Sequence, residues 1–370
     1  MIYILVLFVS LFILFFGSSG RSLKFDFFVS TSLVCILWTL ILGSQNAVGT
    51  DYISYFSIFS NAKYLEYYKD VKAEYLFYFI VKACNYLSFN GQDIFYVFAF
   101  ITSYLFFKIV RLVERKEVVV LTYLYLTVST LFHYQMNGLR QSVAVFFFTI
   151  AILYYLKRDK KIFFLYFFLS VFMHKSAIII MPVFLLLSNR KILSFLERNL
   201  FKILILSSIL CLLQLDFVIE KILGLTGAFR NIVDYSNYTD SEYIQDISLT
   251  NKLSKIMYVP IYWYIIDFFY RKNNVFKLSE FERKLLVIGV VSFCLRNLFL
   301  ISSITNRVGL FFLLFSTIPI MYLIRELRLK NFKLQITFII TYIFILYFMK
   351  VVVFPFEVYS YKSVLFSILE

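Results

Sequence analysis

The ionisable side chains that could do chemistry are concentrated in a few short blocks of this otherwise apolar sequence. One block contains His133, Asn137, Arg140 and Gln141, and a second contains His174 followed by a lysine and a serine. A histidine can take a proton from a hydroxyl group, and an arginine presents a planar fork of donors that matches a phosphate group. These blocks therefore predict proton transfer beside a phosphate-bearing ligand.

Three arginines are the main candidates for binding that ligand. Arg140, Arg296 and Arg307 fall on the predicted outer side of a membrane, away from most other basic residues, and Arg296 lies within an apolar segment. A guanidinium group stays charged at any relevant pH and can bind phosphate through two parallel hydrogen bonds. We expect these arginines to bind a lipid-linked phosphate or pyrophosphate. The alternative is that an arginine near the end of a span extends to the lipid head groups.

Three further residues are candidates for proton transfer or sugar binding. His174 is the stronger candidate of the two histidines, whereas His133 ends an apolar span and suits a position at the membrane interface equally well. Asp51 and Glu74 bracket the first predicted outer loop, where a carboxylate can act as a base, bind a sugar hydroxyl or pair with an arginine. The alternatives are a histidine that only caps a broken helix and loop acids without a role.

The composition predicts an integral membrane protein. Of the 370 residues, 61% are hydrophobic and 16% are charged, and the mean hydropathy is +0.81. Soluble domains are about half apolar and about a quarter charged. Apolar windows of about 20 residues, long enough to cross a bilayer, recur along the chain. The formal net charge of +15 comes from lysines and arginines in short loops, so we expect no nucleic-acid partner.

No metal, cofactor or disulfide is expected. The four cysteines lie in apolar segments without paired spacing, and the chain has two histidines. Isolated cysteines of this kind are small buried side chains rather than zinc ligands or disulfide partners.

We predict an all-α polytopic membrane protein with about twelve transmembrane segments, some short or broken, in a single integral membrane domain over residues 1–370. The predicted segments lie at about 1–17, 27–43, 93–112, 118–134, 138–156, 161–173, 175–188, 202–223, 256–270, 285–301, 307–324 and 334–353. A basic loop follows every odd-numbered segment, which places those loops in the cytoplasm and both termini outside. The scheme requires residues 75–90 to form a re-entrant or interfacial helix and residues 161–188 to be hinged near His174.

Two longer outer loops are predicted, at residues 44–74 and 224–255. Tyr52 and Tyr55 of the first loop are candidates for contacts with substrate. The tyrosines between positions 235 and 243 of the second loop can stack on sugar rings, or can instead belong to the aromatic belt at the membrane surface.

Taken together, these blocks resemble a known family. Residues 49–55, Glu74 at the start of a helix, residues 137–144, residues 174–177 and residues 306–307 occur in the order seen in the EpsG-like family. The resemblance extends over about residues 1–355, and its most specific parts are the Arg-Gln-x-x-Ala and His-x-Ser-Ala blocks. Members of that family are Wzy-type polysaccharide polymerases of bacterial exopolysaccharide, capsule and O-antigen pathways.

The resemblance implies a membrane glycosyltransferase in the bacterial cytoplasmic (inner) membrane, with its active site facing the periplasm or exterior. A growing chain on undecaprenyl pyrophosphate would be moved to the non-reducing end of a newly flipped lipid-linked repeat unit. A GT-C-like architecture suits such an enzyme. The implied partners are this lipid-linked oligosaccharide, membrane lipid, and a chain-length regulator and flippase of the same pathway.

The site expected from the residues and the resemblance has two groups of members. The catalytic candidates are His174, Arg140, Glu74 and Asp51. The substrate-binding candidates are Arg140, Gln141, Arg296, Arg307, Asn137, Tyr52 and Tyr55.

Three other functions are consistent with parts of the sequence. A GT-C-type glycosyltransferase that uses a polyprenyl-phosphate sugar would carry acids in the first outer loop, but Asp51 stands alone at the expected place. A flippase or transporter of a lipid-linked glycan would need the arginines but no base, and the internal repeats common in transporters are not visible. An O-acyltransferase would use a lone membrane histidine, but has less need of outer arginines.

Overall fold

A computed structural model describes residues 1–18, 23–213, 249–299, 303–355 and 359–365. These residues form helices joined by short turns, with one isolated antiparallel bridge between Gln45 and Ser363. The all-α prediction is therefore confirmed for this part of the chain. Most of the predicted outer loop 224–255, including its tyrosines, lies outside the described residues. The last part of this predicted loop falls in a helix, Leu249–Ile256, and its position outside the membrane stays a prediction.

The chain divides into two compact units, one formed by Met1–Ala177 with Ile340–Glu370 and the other by Ile178–Ile339. The helices up to the end of α11 are α1 Ile2–Ser18, α2 Leu23–Gly43, α3 Tyr52–Ser60, α4 Ala62–Asp70, α5 Tyr75–Tyr86, α6 Gly91–Val113, α7 Val118–Leu124, α8 Leu131–Tyr134, α9 Leu139–Leu156, α10 Lys160–Met173 and α11 Ser176–Ser188. The remaining helices are α12 Arg190–Leu212, α13 Leu249–Ile256, α14 Val259–Ile266, α15 Glu280–Leu298, α16 Ser303–Gly309, α17 Leu313–Leu329 and α18 Lys333–Phe348.

The first unit is built around a helical hairpin of α9 and α10. A three-residue turn joins the helices, and the Asp159 side chain accepts a hydrogen bond from the Ile162 N–H at 3.2 Å, which caps α10. The Ser170 hydroxyl donates to the Ala144 carbonyl oxygen at 2.7 Å and ties the two helices together. Because the helices are antiparallel and of similar length, the first turn of α9 and the last residue after α10 lie at the same end of the hairpin.

The core of the first unit also contains an irregular segment. The predicted span 118–134 is interrupted, because a π-helical turn at Tyr125–Ser129 leads to Thr130, which has a φ of 61°. Trp38 is fully buried beside this segment, 5.3 Å from the Tyr125 ring, and donates to the Ser10 hydroxyl at 2.9 Å. The predicted segment 118–134 is therefore one of the broken segments, with short helices at Val118–Leu124 and Leu131–Tyr134.

In the second unit, α12, α14, α15 and α17 pack together. Arg283 of α15 makes two 2.6 Å hydrogen bonds to the Glu197 carboxylate of α12. The Tyr262 ring of α14 stacks on Phe293 at 3.8 Å. Residues 190–202, which were predicted to be a cytoplasmic loop, instead form the first half of α12, so this loop assignment was wrong.

Five helical stretches among the described residues are long and apolar enough to cross a membrane: Asp26–Gly43, Gly91–Val113, Leu139–Leu156, Asn306–Leu329 and Lys333–Val353. A sixth can be formed by α11 and α12, which are bent by 80° at their junction, and Ile2–Gly17 is a shorter apolar helix. The chain is thus an integral membrane protein with several apolar helices. The count of about twelve segments, the single domain and the GT-C-like architecture stay predictions.

Candidate active site

Three side chains from distant parts of the sequence form a buried ion cluster in the first unit. The Glu74 carboxylate accepts hydrogen bonds from Arg140 through one oxygen and contacts His174 Nδ1 at 2.6 Å through the other. The side chain of Glu74 is only 3% exposed, whereas those of Arg140 and His174 are 19% and 22% exposed. The carboxylate therefore lies beneath the two basic groups, which reach the surface. We call Glu74, Arg140 and His174 the ion cluster.

Local structure explains how each member reaches this point. Arg140 lies in the first turn of α9, and His174 caps the C-terminal end of α10, so the hairpin brings them to one end. Glu74 caps the N-terminal end of α5, which packs against α10. Its backbone N–H donates to the Tyr68 carbonyl oxygen at 2.8 Å, after a turn in which Ala73 adopts a φ of 51°. The expected break at His174 and the expected helix start after Glu74 are both confirmed.

Aromatic rings surround the Arg140 guanidinium group. Its central carbon lies 4.4 Å from the centre of the Tyr68 ring, 5.4 Å from Phe77 and 5.8 Å from Tyr55. A cation over aromatic faces gains about 0.5–2 kcal/mol per favourable contact, more when water is excluded. The rings and the Glu74 carboxylate together fix the direction in which the guanidinium points.

The cluster keeps Glu74 ionised. Burial by itself would raise the pKa of Glu74, but the adjacent Arg140 and His174 outweigh burial and lower this pKa to about 2. Burial is also the main reason that the pKa of Tyr55 and that of Tyr68 are raised, although Arg140 lowers both. At neutral pH the site therefore holds a fixed negative charge beneath a permanent positive one.

This arrangement leaves defined groups able to act on a ligand. In the neutral tautomer that donates from Nδ1 to Glu74, His174 carries its lone pair on Nε2 and can accept a proton there. The Arg140 Nε–H is buried and has no hydrogen-bond partner among the described residues. The exposed part of the guanidinium group, 19% of the side chain, is what an anionic ligand could contact.

Asp51 and Asn137 are joined to each other by a hydrogen bond. The Asp51 backbone N–H donates to Asn137 Oδ1 at 2.9 Å, and the Thr50 hydroxyl donates to the Asp51 carboxylate at 3.2 Å. Gly49 approaches Asn137 closely and has a φ of 75°, a conformation that favours glycine. Asn137 lies two residues before the start of α9 at Leu139, so it connects the first outer loop to the helix that carries Arg140.

The predicted substrate-binding tyrosines are buried. Tyr52 donates to Gln92 Oε1 at 2.8 Å and stacks on Phe95 at 4.9 Å, and Tyr55 lies against Arg140. Gln141 is also buried and accepts a hydrogen bond from the Tyr134 hydroxyl at 2.9 Å. Of these three residues, Tyr55 contacts the ion cluster through Arg140, whereas Tyr52 and Gln141 pack against other side chains. Their binding of substrate stays a prediction.

Arg296 and Arg307 belong to the second unit. Arg296 is 7% exposed within α15, deeper than a residue at the rim of a groove, and Arg307 lies in α16 with partial exposure. Their expected binding of pyrophosphate stays a prediction.

Tyr68 and Phe77 carry the rings nearest to Arg140 and were not among the predicted site residues. Tyr68 belongs to a tyrosine-rich stretch, and Phe77 lies one helical turn after Glu74. The three-residue spacing between Glu74 and Phe77 could have indicated that both lie on one face of α5. His133 lies away from the ion cluster, buried against Tyr3 and Tyr347.

Within the described ranges, His, Cys, Asp and Glu side chains form no group of three or more that could hold a metal ion.

The fold and the site define an integral membrane protein whose α-helices present a buried acid beneath an arginine and a histidine.

Comparison with protein families identifies the family of this chain. A sequence model of the EpsG family matches residues 28–363. The protein belongs to the EpsG family, a family of Wzy-type polysaccharide polymerase-like proteins. No curated protein and no solved structure matches the chain. The family implies a glycosyltransferase-like polymerase role in polysaccharide biosynthesis and lipid-linked sugar substrates.

Proposed function

We propose that this protein polymerises lipid-linked oligosaccharide repeat units into a surface polysaccharide at the outer face of the bacterial cytoplasmic membrane. The donor is a growing glycan on undecaprenyl pyrophosphate, and the acceptor is the non-reducing end of a second lipid-linked unit. Family membership supports polymerisation. The observation that carries the site assignment is the Glu74 carboxylate holding an arginine and a histidine at one point of the fold.

The proposed step needs one base and one anion-binding group. His174 Nε2 takes the proton from the acceptor hydroxyl as that oxygen bonds to the anomeric carbon of the donor. The bond between this carbon and the pyrophosphate oxygen breaks, and undecaprenyl pyrophosphate leaves. Arg140 stabilises the negative charge on the leaving group through preorganised donors. No nucleotide sugar or cofactor enters this step.

Glu74 acts in this proposal as a positioning residue rather than as the base. Both of its oxygens are engaged, and its lowered pKa makes it a poor proton acceptor. It orients the histidine as the carboxylate of a hydrolase triad does, and it aims the arginine as well. Asp51 is held beside Asn137 in the loop before α3, where it suits a contact with a sugar hydroxyl.

The outward orientation of the site is part of the proposal. It is supported by the basic residues that follow the odd-numbered predicted segments. Those after the fifth segment, such as Lys157 and Arg158, lie at the end of the α9–α10 hairpin opposite to Arg140 and His174. Single cysteines introduced beside positions 140 and 174 should react with a membrane-impermeant maleimide from outside the cell. Labelling of either position only after the membrane is permeabilised would contradict this orientation.

The activity is tested with purified protein in nanodiscs supplied with lipid-linked repeat units already on the accessible side. The wild type should produce a ladder of polymer, while Arg140→Ala and His174→Ala should leave single units at normal protein levels. Lys175→Gln, next to the histidine, is the matched control and should retain the ladder. Full-length polymer in both alanine variants would refute the site assignment, and a wild type that forms no new glycosidic bond would favour a flippase.

A further inference from the structure

One face of α10 carries a row of exposed phenylalanine rings that ends beside the ion cluster. Phe164, Phe168 and Phe172 are 52%, 51% and 40% exposed, and their four-residue spacing places them on one face of the helix. The centres of successive rings are 6.4 and 6.2 Å apart. The sequence reaches His174 two residues after the last ring.

Helix α5 adds a fourth exposed ring at the end of this row. Tyr75 directly follows Glu74 and packs edge-on against Phe172, with their ring centres 5.9 Å apart. It is 42% exposed. We call Phe164, Phe168, Phe172 and Tyr75 the aromatic row. The row is a continuous apolar surface about 12 Å long on α10, with charged groups at one end.

We propose that the aromatic row is the docking surface for the polyprenyl chain of the lipid-linked substrate. This inference rests on the proposed function, because the pyrophosphate at the ion cluster fixes where the chain begins. A polyprenyl pyrophosphate has an anionic head and a single long apolar chain. Arg140 and His174 lie at one end of the row and complement the anionic head, and the rings along the helix complement the apolar chain.

The position of the row distinguishes this ligand from ordinary membrane lipid, because the row ends at the ion cluster. Leu165, which is 56% exposed, and Phe167, whose ring centre lies 5.9 Å from that of Phe168, extend the same apolar face beside the row. Membrane lipid is as apolar as the chain, so burial from water does not favour docking. Selectivity must come from van der Waals contacts between the rings and the methyl-branched chain, so the expected effect of removing rings is moderate.

A second exposed pair of rings in the same unit provides a matched control. Phe12 and Phe16 on α1 are 64% and 60% exposed, and their centres are 4.5 Å apart. They have the same side chains and comparable exposure, but no member of the ion cluster lies near them in sequence. If exposed phenylalanines bind polyprenyl chains without selectivity, this pair will behave like the aromatic row.

Photolabelling tests the location of the chain without requiring turnover. Undecaprenyl pyrophosphate carrying a diazirine on its chain is irradiated with the wild-type protein in nanodiscs, and the labelled peptides are identified by mass spectrometry. Label should concentrate on residues 164–172, and excess unlabelled undecaprenyl pyrophosphate should displace it. Label on α1, label spread evenly over the apolar helices, or equal displacement by phosphatidylglycerol would overturn the proposal.

Kinetics provide a second test. Phe168→Ala with Phe172→Ala should raise KM for undecaprenyl-linked units roughly tenfold with kcat unchanged, and should hardly affect a substrate with a two-isoprene chain. Phe12→Ala with Phe16→Ala should change neither value. Equal effects of the two double variants would overturn the docking surface. Absence of polymer from the wild type would instead contradict the proposed function, while the label pattern would still test the docking.

Discussion

Replacement of Glu74 by glutamine should damage both the stability and the activity of this protein. The change keeps the volume of the side chain but removes the charge. An amide group has one oxygen acceptor, and its NH2 group can only donate, so it cannot accept from both Arg140 and His174. Glu74→Gln therefore leaves a buried guanidinium group without its counter-charge and a histidine without its fixed orientation.

The structure gives the size of the effect on stability. The pKa of Glu74 falls from 4.5 to about 2 in the folded protein. A shift of this size corresponds to about 3 kcal/mol of folding free energy at neutral pH. Breaking a buried ion pair from one side costs a similar amount, about 3–5 kcal/mol. We expect Glu74→Gln to lower the free energy of unfolding by about 3 kcal/mol, measured by denaturant unfolding in detergent micelles.

The same variant should lose activity and show a defined dependence of stability on pH. Loss of an orienting carboxylate should reduce kcat by at least about 100-fold. Because the folded pKa lies below the unfolded value of 4.5, the stabilisation by Glu74 is complete above that pH and is lost as pH falls toward about 2. The difference in stability between wild type and Glu74→Gln should therefore be constant from pH 7 to about 5.5 and shrink below about 4.5.

Glu66→Gln is the matched control, because this acid lies in the preceding helix and pairs with Lys69 at the protein surface. It should retain wild-type polymer and nearly wild-type stability. Wild-type kcat in Glu74→Gln, or an equal loss in both variants, would refute the reasoning that the ion cluster forms the site. A stability difference that grows as the pH falls would refute the assigned direction of the pKa shift.

The remaining predictions concern the loop before α3 and the second histidine. Gly49→Ala should cost about 1–3 kcal/mol in thermal unfolding assays and reduce polymer yield, because a Cβ atom would lie 2.6 Å from Asn137 Oδ1 at a strained φ; a wild-type melting temperature would contradict this. Asn137→Ala should cost about 1 kcal/mol by freeing the Asp51 N–H, whereas Asn137→Asp, which keeps the acceptor, should retain most of the polymer on a gel. His133→Phe should retain full-length polymer, since His133 is buried against Tyr347; single repeat units at normal protein levels would show that it takes part.

The helical hairpin of the first unit could be predicted closely from the sequence. Segments 138–156 and 161–173 were expected, and the helices run from Leu139 to Leu156 and from Lys160 to Met173. Here long apolar runs end at charged turns, so composition and chain geometry give the same boundaries. The expected break at His174 follows from the same pattern. The position of the break within segment 118–134 could not be predicted, because the π-helical turn and Thr130 leave no mark in hydropathy.

The site could be predicted only in part. The charge pattern placed Arg140 and His174 on one side of the membrane, but it could not show that both contact the same carboxylate. Glu74 is 66 residues from the arginine and 100 from the histidine, and such contacts depend on tertiary packing rather than local sequence. Burial is equally hard to predict from the sequence: Tyr52 and Tyr55 are both buried, and their contact with substrate stays a prediction.

The charges of the ion cluster explain why a buried acid suits the proposed reaction. With a neutral histidine, the positive charge of Arg140 and the negative charge of Glu74 cancel, so the empty site carries no large field that would hold product pyrophosphate tightly. When His174 takes the acceptor proton, the cluster gains one positive charge at the moment when the leaving pyrophosphate gains negative charge. Without Glu74, the site would be positive before the reaction and the imidazolium would form beside an unpaired guanidinium. In the proposed reaction, the carboxylate would thus confine the extra positive charge to the transition state, where this charge would lower the barrier.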